Sequence, residues 1–129
     1  PLSIGTKNKS YMIASESSAL TALDFETVED IKPGEAIILN ENGELMRRRV
    51  VRKSAHTPCL FEFVYFSRPD SSIDDISIHK SRLRMGDFLG DKILKEYPKL
   101  NVDVVIPIPD TSRTSAMQVA YKLGVTYRE

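Results

Sequence analysis

The sequence predicts a mixed architecture, α+β in its first part and α/β in its second, and three observations predict it. Asn42-Gly43 sits between two runs of strand-forming residues, the strongest short signal for a hairpin. Apolar residues recur every fourth position from Met85 through Leu89 and Ile93 to Tyr97, with Phe88 beside them, which marks one face of a long helix. The β-branched run Val102-Asp103-Val104-Val105-Ile106-Pro107 is followed by a helical stretch over 112–123 that Gly124 closes, and helix, strand, loop, helix is the grammar of a parallel sheet.

In chain order, Tyr11-Met12-Ile13-Ala14 reads as a short buried strand. Ser15-Glu16-Ser17-Ser18 then offers N-caps for a short helix carrying Ala19-Leu20 and Ala22-Leu23. Pro33-Gly34 turns the chain into the hairpin, which spans about 35–51. Residues 54–58 lack periodicity, and Thr57-Pro58 keeps them out of a helix, so they read as a connection. Leu60-Phe61-Glu62-Phe63-Val64-Tyr65-Phe66 is rich in aromatic and branched side chains and reads as a strand, broken by Arg68-Pro69-Asp70-Ser71-Ser72. The long helix runs over about 78–97 and stops at Pro98. Its strand partner at 102–107 reads as covered on both faces. The change of style falls near residue 55, giving pieces 1–55 and 56–129.

Charge and composition exclude several functions. Eighteen Lys plus Arg balance eighteen Asp plus Glu, so no electrostatic footprint for nucleic acid or an anionic membrane is present. A single cysteine, Cys59, rules out an internal disulfide, and no His/Cys cluster completes a zinc site. Apolar runs fall far short of the roughly 20 residues of a spanning helix, which points to a cytoplasmic chain. It opens on Pro1 and stops on Tyr127-Arg128-Glu129 just beyond Gly124, so both ends read as cut.

The candidate chemistry lies in Pro107-Ile108-Pro109-Asp110-Thr111-Ser112, between a strand and a helix. In parallel sheets ligands bind beyond the carboxyl ends of strands, and a helix N-terminus there offers free amides and a positive dipole to phosphate. Thr111 and Ser112 add hydroxyls for phosphate or its magnesium ion. The plain alternative is that Asp110, Thr111 or Ser112 caps the helix. Arg47-Arg48-Arg49 would alternate between strand faces and reads as solvated. His79, Lys80, Arg82 and Arg84 at the start of the long helix read as exposed or paired with Asp74, Asp75 or Asp87. Asp74-Asp75 needs no metal to explain it, His56 and His79 read as surface residues, and Cys59 as a small buried hydrophobe.

The string Cys59-Leu60-Phe61-Glu62-Phe63-Val64-Tyr65-Phe66-Ser67-Arg68-Pro69-Asp70-Ser71 resembles a signature of the amidophosphoribosyltransferases. Tyr11 to Ser17, Pro33-Gly34-Glu35, Arg82 with Met85-Gly86, and Asp103 to Ser112 agree with that family in order and spacing. The resemblance implies an internal fragment: 1–55 as the end of an N-terminal-nucleophile glutaminase domain and 56–129 as the start of a phosphoribosyltransferase domain with a parallel sheet. The parent would release ammonia from glutamine and use it to displace pyrophosphate from phosphoribosylpyrophosphate. The fragment is expected to be inactive. The family's glutaminase nucleophile is an N-terminal cysteine, where this chain has Pro1, and Asp74-Asp75 runs into Ile76-Ser77-Ile78 rather than into the family's Gly-Thr-Thr phosphate loop.

Carried over position by position, the resemblance implies Asp110, Thr111 and Ser112 as substrate-binding residues, Thr111 as the magnesium contact, and Tyr65 as an interdomain signalling position. Cys59 matches an iron–sulfur ligand only where a parent carries a cluster, and none is expected here. Glutamine and phosphoribosylpyrophosphate are the implied partners and a homo-oligomer the implied assembly. A reading of another class is a non-catalytic phosphoribosyl-binding regulatory or interaction module, which the sequence outside these residues would separate from the first.

Overall fold

The computed structural model describes the backbone of residues 1–129 and the side chains of all but residues 27 and 28. The chain forms two compact units that alternate along the sequence, Pro1–Cys59 with Asp70–Asp75, and Leu60–Pro69 with Ile76–Glu129.

In the first unit, β1 (Ser3–Lys7) is the middle strand of an antiparallel sheet, flanked by β2 (Ser10–Ala14) and β3 (Glu26–Asp30). Asn8 and Lys9 both take positive φ, the two-residue turn whose twist suits adjacent antiparallel strands. The short helix α1 (Ser17–Ala22) covers this sheet, and Ile4 and Leu20 are fully enclosed. Gly5 permits that approach, since a Cβ there would stand 3.2 Å from Leu20 Cδ1 and 3.1 Å from the Glu26 carbonyl. Two expectations change. β2 is a strand but not a buried one: it lies at the sheet edge, so alternate residues Tyr11 and Ile13 face outward. The serines do not cap α1 either. Glu16 holds the N-cap position without a side-chain capping bond, while Ser17 and Ser18, the first residues of the helix, turn to the 70–75 segment.

That attachment is polar and buried. Ser71, 1% exposed, bonds through Oγ to Glu16 Oε2 and Ser18 Oγ, both at 2.9 Å. Ser17 Oγ accepts the Ser72 amide at 2.9 Å. Hydroxyls out of water must be bonded, and here each is. The hairpin β4 (Glu35–Leu39) and β5 (Leu45–Arg49) forms as the sequence predicts. Only Gly43 of the Asn42-Gly43 pair takes positive φ, because the loop has three residues, closed by the Gly43 amide on the Asn40 carbonyl and the Asn40 amide on that of Glu44. The arginines of β5 divide as alternation requires: Arg47 pairs with Glu29 and Glu35, Arg48 is solvated, and Arg49 donates to Ser54 Oγ at 2.9 Å. The short strand β6 (Ser72–Ile73) ends this unit's second segment, where Asp74 and Asp75 both adopt positive φ.

The second unit corrects the largest expectation. Residues 60–66 are helical, not a strand, and Glu62–Phe66 is a π-helical turn closed by the Ser67 amide on the Glu62 carbonyl at 3.1 Å. Strand propensity loses because the turn has a tertiary partner. Arg82 donates through Nε to the Phe63 carbonyl at 2.9 Å and through Nη2 to the Ser67 carbonyl at 2.7 Å. The same geometry corrects the solvated reading of Arg82, which is 3% exposed.

After the two-residue strand β7 (Ile76–Ser77), Ser77 accepts the Lys80 amide and caps α2 (Ile78–Glu96). The helix is where the sequence puts it, but its face is not. The buried stripe is Ile78, Arg82, Gly86 and Gly90, whereas Phe88, Leu89 and Tyr97 are exposed. The stripe packs on α3 (Arg113–Leu123), which ends at Gly124 in the left-handed region. A Cβ at Gly86 would lie 2.5 Å from the Ser115 carbonyl, and one at Gly90 2.7 Å from Lys122 Cβ. Polar bonds line the same contact: Ser115 Oγ donates to the Arg82 carbonyl at 2.8 Å, Gln118 to Asp87 at 2.8 Å, and Lys122 to Asp91 at 3.0 Å. The bond to Asp91 holds the Lys122 pKa above its ordinary value. The strand β8 (Val104–Val105) pairs in parallel with β9 (Thr126–Tyr127), as an α/β reading requires. It is shorter than expected and not covered on both faces, since Ile106 and Ile108 are exposed: among the described residues the sheet has two strands with α3 against them.

Two changes test this packing. Gly86→Ala is expected to lower stability by about 1–3 kcal/mol, because overpacking exceeds the roughly 1 kcal/mol that alanine gains in helix propensity. A urea midpoint that rises instead would mean that α2 and α3 separate freely. Arg82→Met is expected to cost about 1–3 kcal/mol for each carbonyl left without a donor. Arg82→Lys should recover part of this in the same denaturation curves, and a methionine variant as stable as the parent would remove Arg82 from its organising role.

Candidate functional site

The loop at 107–112 leaves the carboxyl end of the parallel strand β8 and enters α3. Its Pro109–Asp110 peptide is cis. Ser112 is the N-cap residue, with φ −80° and ψ −9°, and makes no side-chain cap bond. Its hydroxyl instead donates back to the Ile108 carbonyl, folding the loop on itself. The simple capping alternative therefore does not describe Ser112. Thr111 is half-buried, and its hydroxyl has no bonding partner among the described residues.

Charge around the loop is organised by Arg113, the first residue of α3. Its guanidinium lies 3.2 Å from Asp110 Oδ1 and 3.3 Å from Glu129 Oε2. Tyr127 donates its hydroxyl to Glu129 Oε1 at 2.6 Å, which holds the Tyr127 pKa above its usual value. Helix amides not capped by a side chain, with a dipole behind them and hydroxyls beside them, suit an anion such as phosphate. Sequence reasoning marked Asp110, Thr111 and Ser112 as candidates but not Arg113. Its salt bridge three residues away was legible as an i,i+3 spacing, its second partner only from the parallel pairing.

The other marked residues are not gathered here. Cys59 is an exposed free thiol rather than a buried hydrophobe, because the connection that carries it runs over the surface. Tyr65 is 58% exposed and meets Phe66 edge-on, with ring centroids 5.6 Å apart. His56 is exposed as expected but not without a neighbour: its Nε2 lies 2.8 Å from Asp74 Oδ2, a pairing across eighteen residues that nothing in the local sequence signals. The Asp74 amide also donates to Asp30 Oδ2 at 2.8 Å. These groups line a cleft of the first unit with Lys32, Arg49 and Asp75, of mixed charge. Among the described residues no group of His, Cys, Asp and Glu could hold a metal ion. No helix among them is long and apolar enough to cross a membrane.

No protein-family model matches the chain. It is 55% identical over 119 residues to the amidophosphoribosyltransferase of Pseudomonas aeruginosa, an alignment covering 92% of this chain. The Escherichia coli protein of that name is 50% identical over 92% of the chain, and that of Saccharomyces cerevisiae 48% identical over 97%. The chain belongs to the amidophosphoribosyltransferase family. It spans about a quarter of these relatives, 24% of the first two and 25% of the third. Among solved structures it is similar to the glutamine phosphoribosylpyrophosphate amidotransferase of B. subtilis complexed with ADP and GMP, with a TM-score of 0.86 and 34% identity. That likeness covers 99% of this chain and 27% of the other. A structure titled as the allosteric regulatory enzyme of purine biosynthesis matches with a TM-score of 0.87 and 34% identity, over 99% of this chain and 26% of the other. The string at 59–71 that suggests amidophosphoribosyltransferase kinship thus corresponds to the π-helical turn, its Arg82-bonded exit and the buried Ser71.

Proposed function

We propose that this chain is the section of an amidophosphoribosyltransferase in which the glutaminase domain ends, over 1–55, and the phosphoribosyltransferase domain begins, over 56–129. The whole enzyme releases ammonia from glutamine in a domain of the N-terminal-nucleophile class. That ammonia displaces pyrophosphate from phosphoribosylpyrophosphate, giving 5-phosphoribosylamine, pyrophosphate and glutamate, the first committed step of purine synthesis. It is a cytoplasmic homo-oligomer.

The observation that carries this reading is the loop at 107–112, which joins a parallel strand to a helix whose N-cap residue makes no side-chain capping bond. Displacement builds negative charge on the departing diphosphate, and fixed amide dipoles aimed at that charge lower the barrier without reorganising. Asp110, Thr111 and Ser112 are the residues that flank the diphosphate. Magnesium enters with phosphoribosylpyrophosphate as part of the substrate. It prefers about six oxygen ligands, of which this chain offers the Thr111 hydroxyl, so most come from phosphate, water and other parts of the enzyme. Cys59 is the one cysteine here, so an iron–sulfur cluster, which takes about four cysteine ligands, would draw its other ligands from other parts of the enzyme. Tyr65, exposed on the π-helical turn, is the position through which the two domains signal.

In the full-length enzyme Thr111→Val is expected to raise KM for magnesium–phosphoribosylpyrophosphate by about tenfold, the loss of roughly one charge-assisted contact, and to spare glutamine hydrolysis. Equal loss of both activities would point to misfolding and remove Thr111 from the site. The chain of 129 residues is expected to release no glutamate from glutamine and to form no phosphoribosylamine. Glutamate above the blank from purified chain would overturn that part of the proposal.

A further inference from the structure

We infer that Arg113 is a positioning residue for the diphosphate loop: it offsets the charge of Asp110 and ties the loop to the end of β9. The inference rests on the phosphate-loop reading above.

The contacts form a closed circuit. The loop departs from β8, whose Val105 pairs with Tyr127 of β9. The Tyr127 hydroxyl holds Glu129 Oε1 at 2.6 Å, and the other oxygen of Glu129 lies 3.3 Å from the Arg113 guanidinium. The same guanidinium nitrogen reaches Asp110 at 3.2 Å, which returns the circuit to the loop. A single cation therefore stands between two carboxylates at the mouth of an anion site. Without it, Asp110 and Glu129 would repel each other and any diphosphate approaching the α3 amides, over a distance comparable with the Debye length.

The side chains are open to solvent, 50% exposed for Arg113 and 79% for Asp110. Exposed pairs contribute little to folding, so variants here should fold, and the effect should fall on anion binding. Arg113 itself need not touch the reacting atoms.

The test is steady-state kinetics of the full-length enzyme with ammonia as nitrogen donor, varying magnesium–phosphoribosylpyrophosphate. Arg113→Gln is expected to raise KM about five- to tenfold and to leave kcat within about twofold, the pattern of lost ground-state binding. Arg113→Lys should retain most of the affinity. The double variant R113Q/E129Q should have a KM at least about twofold lower than R113Q, because one of the two carboxylates that Arg113 offsets is then neutral. Wild-type KM in R113Q beside a raised KM in T111V would overturn the inference and leave the loop reading standing. Wild-type KM in both would overturn the loop reading, and the inference with it. A raised KM that E129Q does not relieve, or one matched by equal falls in kcat and Tm, would assign Arg113 a structural role and overturn the inference.

Discussion

The second unit depends on the bonds of one buried cation. Arg82 donates to the Phe63 and Ser67 carbonyls, and its own carbonyl accepts from Ser115 Oγ, so α2, the π-helical turn and α3 meet at a single residue. A π-turn leaves backbone oxygens poorly matched to their own helix, and a guanidinium with its planar fork of donors can satisfy two of them at once. Burial of the charge is tolerable because those carbonyl dipoles replace water around it. With Arg82 so placed, the next positions on the α2 stripe can only be small, and Gly86 and Gly90 let the backbone of α3 approach.

Close approach of α2 and α3 sets what α3 can do. Lys122 near its end is fixed by Asp91 and Asp87, Gln118 by Asp87, and the start of the helix is delivered to the loop that follows β8. The loop then makes its own restraints, Ser112 on the Ile108 carbonyl and Arg113 on Asp110. The proposed phosphate loop would need amides held in advance of the ligand, and a helix locked along its length by a glycine-lined contact provides that rigidity.

The first unit solves a different problem, a thin core. Ile4 and Leu20 are its most enclosed apolar side chains, and around them much of the attachment is polar. The Ser17, Ser18, Ser71 and Glu16 cluster binds the 70–75 segment to α1 by hydrogen bonds that are each satisfied. Such networks specify one arrangement sharply, since slipping by a residue would leave hydroxyls buried and unpaired.

What the sequence determined by itself was whatever depends on local chemistry: a hairpin turning at Asn42-Gly43, the stop of α3 at Gly124, the extent of α2, and a strand-to-helix loop at 107–112. Each follows from backbone preferences or short spacings that need no distant partner. The tertiary structure alone decided that residues 60–66 are helical, that α2 buries Arg82, Gly86 and Gly90 rather than Leu89 and Tyr97, that the first two serines of α1 bind Ser71 and Ser72, and that Asp110 shares Arg113 with Glu129. These outcomes rest on hydrogen bonds and close contacts between residues far apart in the chain, where local propensity and periodicity carry no information about the partner.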